Sequence, residues 1–145
     1  MFMGQYSHSI DTKGRVIIPA KFRDKLGSTF VVTKGIEKCL YVFADEEWKT
    51  FQKKLATQSI TSRDSRRFAR FLLSGATECE FDKQGRILLP SASRQYAELD
   101  KDVVLIGVAS RIEIWSKELW DEANSEYEKN IDEIAANMDR LGFSI

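Results

Sequence analysis

Histidine occurs once in the 145 residues, at His8, and cysteine twice, at Cys39 and Cys79, with no Cys-x-x-Cys spacing. A zinc site needs three or four such ligands in one place, so no metal site is expected. No phosphate-binding loop is present, and no nucleophile is accompanied by a base and an orienting group. The reading is therefore of a chain with no catalytic residue, no metal and no cofactor. The two cysteines read as free, buried thiols. Proline also occurs only twice, at Pro19 and Pro90, and no Pro- or Gly-rich stretch divides the chain. No apolar run approaches the roughly eighteen residues of a membrane span. The opening Met1-Phe2-Met3-Gly4-Gln5-Tyr6 lacks the basic and apolar segments of a secretory signal, so a cytoplasmic location without membrane attachment is expected.

Net charge is absent too: 22 basic side chains balance 22 acidic ones. Their distribution is uneven. Residues 1–97 carry 17 Lys and Arg against 10 Asp and Glu, whereas residues 98–145 carry 5 against 12. Such a chain can offer one basic face to phosphates while its acidic end points elsewhere. A hydrophobic content of 43% and an aromatic content of 11% suffice for a buried core and exclude general disorder.

What the chain does contain is itself, twice. Gly4–Arg23 aligns with Gly75–Arg94 at a constant offset of 71. Gly4, Asp11, Gly14, Arg15, Pro19 and Arg23 coincide with Gly75, Asp82, Gly85, Arg86, Pro90 and Arg94. After one insertion the match continues at offset 72, pairing Gly35 with Gly107, Cys39–Phe43 with Arg111–Trp115, and Trp48 with Trp120. Self-similarity at this scale marks a duplicated module. The expected modules are residues 1–73 and 74–145, packed together because no linker parts them.

Each half predicts the same elements, giving an α+β, β-rich chain. Strands are expected near Gln5–Asp11 and Thr77–Asp82, then at Val16–Ile18 and Ile87–Leu89. Pro19 and Pro90 end those strands and are placed to open the first turn of short helices bearing Phe22 and Leu26, then Tyr96 and Leu99. Further strands follow at Phe30–Thr33 and Leu40–Phe43, and at Val103–Ile106 and Ile112–Trp115. A helix from Glu46 to Leu55 is expected with Asp45 as its N-cap, and another after Thr61-Ser62-Arg63-Asp64, a capping-box pattern with Asp in place of Glu. The last helix is expected near Lys117, capped by Ser116, with Trp120, Ala123, Tyr127, Ile131, Ile134 and Met138 as a stripe for the core or a subunit contact. His8 is read as an outward polar position.

The repeated Asp-x-x-Gly-Arg carries the chemistry. Asp11 and Asp82 can bond backbone two residues ahead and start a turn. Gly14 and Gly85 tolerate the positive φ of a short hairpin loop. Arg15 and Arg86 then emerge beside the tip, four residues after a carboxylate that can fix their aim. A surface ion pair adds only about 0–1 kcal/mol, so stability explains poorly why both partners recur. Arginine grips phosphate and reads the O6/N7 edge of guanine with two bonds, and a two-stranded ribbon fits the major groove. Double-stranded DNA is therefore the expected partner, with Lys13, Lys21, Lys83, Arg23 and Arg94 adding to the interface. An antitoxin-like or scaffolding module that binds a protein partner is the competing reading. A second basic group, Arg63, Arg66, Arg67 and Arg70 with Lys53 and Lys54, suits either phosphates or the acidic last helix of a neighbouring subunit.

Met1-Phe2-Met3-Gly4, Asp11-Thr12-Lys13-Gly14-Arg15, Pro19-Ala20-Lys21-Phe22-Arg23, Ser74-Gly75-Ala76 and Asp82-Lys83-Gln84-Gly85-Arg86 together resemble the bacterial MraZ family over nearly the full chain. The resemblance implies that each half is an AbrB-like swapped-hairpin β-barrel module and that the pair is related by a pseudo-twofold. It also implies a ring-shaped homo-oligomer, associated with the nucleoid, that regulates the division and cell-wall gene cluster. The expected DNA target is a set of short G-containing direct repeats in that promoter. Asp11, Arg15, Asp82 and Arg86 are the motif positions it assigns.

Overall fold

Alternating or continuous β-branched and aromatic residues form the strands, and the two halves use them in the same order. The computed structural model describes all 145 residues. In the first half β1 (Gln5–Ser9), β2 (Arg15–Ile17), α1 (Ala20–Leu26), β3 (Thr29–Lys34) and β4 (Leu40–Ala44) precede the helices α2 (Asp45–Ala56) and α3 (Arg63–Ser74). In the second, β5 (Thr77–Glu80), β6 (Arg86–Leu88), α4 (Ser91–Tyr96), β7 (Asp102–Val108) and β8 (Arg111–Ser116) lead into one long helix, α5 (Lys117–Arg140). The α+β class follows.

The halves do not lie side by side; they exchange strands. A six-stranded antiparallel sheet runs β1-β7-β8-β4-β3-β5, and a separate ribbon joins β2 to β6. Thus β1 pairs with β7 of the other half, and β5 with β3. Swapping the halves regenerates both sheet orders, so an internal twofold relates them. It passes through the Val16–Ile87 pair of the ribbon and the Tyr41–Glu113 pair of β4 and β8. Val16, Ile18, Ile87 and Leu89, at most 1% exposed, pack with Phe22, Phe30, Leu40, Val42, Leu105, Ile112 and Ile114 in one core drawn from both halves. Burying a side chain of this size contributes about 1.5–3 kcal/mol. The ribbon is anchored from below by its own residues.

Several local expectations need correction. β1 stops at Ser9 and β5 at Glu80; Ile10 makes only an isolated bridge to Val16 before the chain turns. Pro19 and Pro90 are the N-caps of α1 and α4, not residues of the first turn, and Leu99 lies beyond α4. Ala44 is the N-cap of α2, so Asp45 is already helical and pairs instead with Lys49 at 3.0 Å. Ser62, not Thr61, caps α3, accepting from the Ser65 N–H at 3.3 Å; Ser65 holds the third helical position, so no reciprocal box forms. Ser116 caps α5 as expected. His8 shares a strand face with Tyr6 and is half-buried, because side chains alternate with period two. Cys39 is buried, but Cys79, on the edge strand β5, is only half-buried.

The expected stripe of α5 divides. Leu119, Trp120 and Ala123 pack on Trp115 and its neighbours, and Tyr127 meets Trp120 edge to face. Ile131, Ile134 and Met138 are 54%, 37% and 41% exposed and do not join the core. The helical dihedrals break at Asn130 (φ −116°, ψ 15°), whose side chain donates to the Glu126 carbonyl. At offset 72 Asn130 is the counterpart of Gln58, where the first half leaves α2 and turns back into α3. The second half kinks at the same place and then runs on as an arm.

Candidate nucleic-acid interface

Each loop is closed by its aspartate. Asp11 Oδ1 accepts from the backbone N–H groups of Lys13 and Arg15, both at 2.9 Å, and Oδ2 accepts from Arg15 Nε at 2.7 Å. Asp82 repeats the pattern with Gln84 N and Arg86 N at 2.9 Å and Arg86 Nε at 2.7 Å. The Asp11 N–H donates to the Arg15 carbonyl and the Asp82 N–H to the Arg86 carbonyl, both at 2.9 Å, completing both turns. Gly14 (φ +86°) and Gly85 (φ +76°) occupy left-handed positions that a side chain would strain.

This geometry has two consequences. The backbone N–H of Arg15, opposed in part by desolvation, holds the Asp11 carboxyl below the ordinary carboxylate range, and the N–H of Arg86 does the same for Asp82. Both carboxylates are therefore charged at neutral pH and fix their arginines through Nε. The terminal nitrogens of Arg15 make no hydrogen bond within the protein and point a charged, flat fork outward.

The ribbon brings the two loops together. Its register sets Arg15 opposite Leu88 and Ile17 opposite Arg86. Arg86 Nη1 comes within 3.8 Å of Asp11 Oδ2, so the second arginine also faces the first carboxylate. Ile18 N–H donates to the Gly85 carbonyl at 3.1 Å, and Leu89 N–H to that of Gly14 at 2.9 Å. Each loop is thus tied to the other half's strand.

Arg23 and Arg94 cross over in the same sense. Arg23 lies against Gly85 in the second loop, and Arg94 lies against Gly14 in the first. Sequence order pairs each arginine with its own half's loop; strand exchange pairs it with the other's. Lys13, Lys21 and Lys83 are exposed and make no ion pair. Arg63, Arg66, Arg67 and Arg70 are exposed on α3, with Arg66 bonded to the Ile60 carbonyl and Arg67 3.6 Å from Asp64; no hydrogen bond or ion pair joins them to the loops.

A second polar cluster escaped the reading of the sequence. Glu113, on the twofold, accepts from Arg111 Nε and Nη2 at 2.9 and 2.7 Å and from Trp115 Nε1 at 2.9 Å, while Arg111 stacks on Tyr41. Burial beside Glu113 pushes the Cys39 thiol far above its ordinary pKa, leaving it an inert packing group. The repeat alignment held the signal: Cys39 and Tyr41 correspond to Arg111 and Glu113, the point where duplicated apolar strands become charged.

Fold and loops together define a duplicated, strand-exchanged protein with twin Asp–Arg turns joined by one ribbon. The chain belongs to the MraZ family. The family described as "MraZ protein, putative antitoxin-like" matches residues 1–71 and again residues 72–141. A protein named Transcriptional regulator MraZ from Halothermothrix orenii is 56% identical over 142 residues, covering 98% of this chain and 99% of that one. Proteins of the same name from Thermoanaerobacter sp. (strain X514), 55% identical over 141 residues, and Alkaliphilus metalliredigens, 51% over 142, cover 97% and 98% of this chain and 99% of their own length. The family is one of regulators, and the protein is not an enzyme. No helix is long and apolar enough to cross a membrane.

Proposed function

We propose that the protein is a sequence-specific DNA-binding transcriptional regulator that reads its operator with Arg15 and Arg86, aimed by Asp11 and Asp82. The observation that carries this reading is the pair of equivalent loops, bonded alike through Nε and joined through one ribbon, with the terminal nitrogens of Arg15 unpaired and those of Arg86 close to Asp11. Lys13, Lys21 and Lys83 supply phosphate contacts, and Arg23 and Arg94 brace the loops through Gly85 and Gly14. In this reading residues 1–73 and 74–145 are AbrB-like swapped-hairpin modules; the crossing of β1 onto β7 and β5 onto β3 supports it. The target is the promoter of the division and cell-wall gene cluster, with short G-containing direct repeats, and the protein works in the cytoplasm on the nucleoid.

Two arginines and a few lysines give a modest grip, so the reading includes self-association into a ring, which sets many loops on adjacent repeats. The arm of α5 beyond Asn130 supplies a contact. Its exposed Ile131, Ile134 and Met138, with Asp132 and Glu133 between the first two and Asp139 after the last, suit the groove of about 950 Å³ on a second copy, where Ile36, Phe51, Leu55, Phe68 and Phe71 alternate with polar residues that include Lys54, Asp64 and Arg67. Arg67 of α3 lines that groove, and with Arg63, Arg66 and Arg70 exposed on the same helix it suits the acidic arm of a second copy.

The test is DNA selection from a random pool, followed by binding of the selected duplex over a range of salt. Arg15→Ala and Arg86→Ala should each weaken binding and flatten the log–log salt slope by about 1. Unchanged affinity in both variants would overturn the reading.

A further inference from the structure

The ribbon carries two side chains that neither the loop geometry nor the core explains. Its pleat sends Val16 and Ile87 inward, where both are fully buried. Side chains alternate along a strand, so Arg15, Ile17, Arg86 and Leu88 all face the other way. Ile17 is 43% exposed and Leu88 61%. The other large exposed apolar side chains have different settings, such as Ile36 and Phe68 at the helical groove and Ile131 onward on the arm. Ile17 and Leu88 sit instead between two arginines on an uncovered ribbon. The register places them at opposite corners: Arg15 faces Leu88, and Ile17 faces Arg86.

We propose that Ile17 and Leu88 read the 5-methyl group of thymine beside the bases that Arg15 and Arg86 read. The inference rests on the DNA-binding reading above. Thymine alone among the four bases presents an apolar group in the major groove, and guanine presents the two acceptors that suit a guanidinium. A branched aliphatic side chain can offer a base edge nothing but apolar contact. Directly opposed residues of an antiparallel pair have Cβ atoms about 5 Å apart, comparable to one or two base steps of about 3.4 Å. Each Arg–aliphatic pair therefore matches a guanine and a thymine at neighbouring steps, and the internal twofold supplies that reading twice. The backbone under these side chains is already fixed by the buried Val16 and Ile87, so little further ordering of the ribbon is needed on binding.

The test uses the full chain and a duplex selected by it. Thymines are replaced one at a time by deoxyuridine, which removes a single methyl and leaves base pairing intact. The wild-type protein should bind about three- to fivefold more weakly at one or two positions next to an arginine-read guanine, the loss expected for one methyl contact. Ile17→Ser and Leu88→Ser should each abolish the thymine preference at one position while keeping the guanine dependence and the salt slope. Both sites are exposed, so folding is retained, and a circular dichroism melt checks it. The inference is overturned if the wild type binds thymine and deoxyuridine duplexes alike at every position. It is also overturned if the serine variants lose affinity with the preference intact, as contacts to sugar would produce. A wild-type protein that binds no duplex at all overturns the DNA-binding reading together with this one.

Discussion

The guanidinium of Arg23, from the first half, rests on Gly85, in the loop of the second. A methyl group added at Gly85 would overlap it. Gly27 has nearly the same φ, +77° against +76°, with a ψ of −168°, and nothing within 4 Å of an added Cβ. The two glycines therefore separate backbone strain from displacement of the arginine. Gly27→Ala should lose about 1–3 kcal/mol, the cost of holding a side chain in this sparsely populated backbone region, and keep DNA affinity. Gly85→Ala should lose stability and weaken DNA binding as well, because its methyl displaces Arg23. Urea denaturation and fluorescence anisotropy check this; equal losses of DNA affinity in both variants would show that Arg23 bears no load at the loop.

Acid should open the loops before it unfolds the sheet. The carboxyls of Asp11 and Asp82 are held below their ordinary range by backbone N–H groups and by their arginines. A depressed folded-state pKa stabilises the closed loop at all pH values above the ordinary aspartate pKa of about 3.9. That contribution is lost as pH falls through the lowered value. Loop amide signals of Lys13, Arg15, Gln84 and Arg86 should therefore hold steady from neutrality down to about pH 4 and shift only below it. A transition at higher pH would contradict the geometry.

The duplication, the core strands and the Asp–Arg pairing were legible in the sequence, because each leaves a local mark: a repeated string, an aliphatic run, a carboxylate four residues from a guanidinium. The crossing of Arg23 and Arg94 between loops was not. It depends on which strand pairs with which, and β3 presents the same apolar pattern whether its neighbour is β1 or β5. His8 was misjudged for a related reason: its face is set by Tyr6 packing on Phe22, a contact between elements. The outer half of α5 has the period of a core helix, and nothing in that period says that the core ends at Asn130.

Glu113 is a test of how the polar knot on the twofold contributes. Its side chain is 11% exposed and satisfies both Arg111 and the Trp115 indole. Glu113→Ala would leave the indole N–H unpaired beside Cys39 and free Arg111 from its seat over Tyr41. The expected loss is about 2–3 kcal/mol, the cost of stranding buried partners. Arg111, at 31% exposure, can still reach water, which keeps the figure below that of a fully buried charge. Thermal melts give the stability, and a change in tryptophan emission should accompany it. A loss under about 0.5 kcal/mol would mean that the cluster only fills space.

Assembly through the α5 arm predicts an outcome that a symmetric face-to-face contact does not. If the arm of one chain enters the groove of the next, the two surfaces differ, and each can be disabled alone. Ile134→Asp with Met138→Asp places charge on the arm, at residues 37% and 41% exposed; Phe68→Asp, at 41%, places it in the groove. All three sites are accessible, so the fold should survive. Each variant alone should run as a monomer in light scattering and bind promoter DNA more weakly than the assembled protein, having lost avidity. Mixed in equal amounts, they retain one intact arm and one intact groove between them. The mixture should form heterodimers and stop there, because the remaining groove and arm are both disabled. Assembly by either variant alone, or a mixture that stays monomeric, would rule out the arm as the connection between subunits.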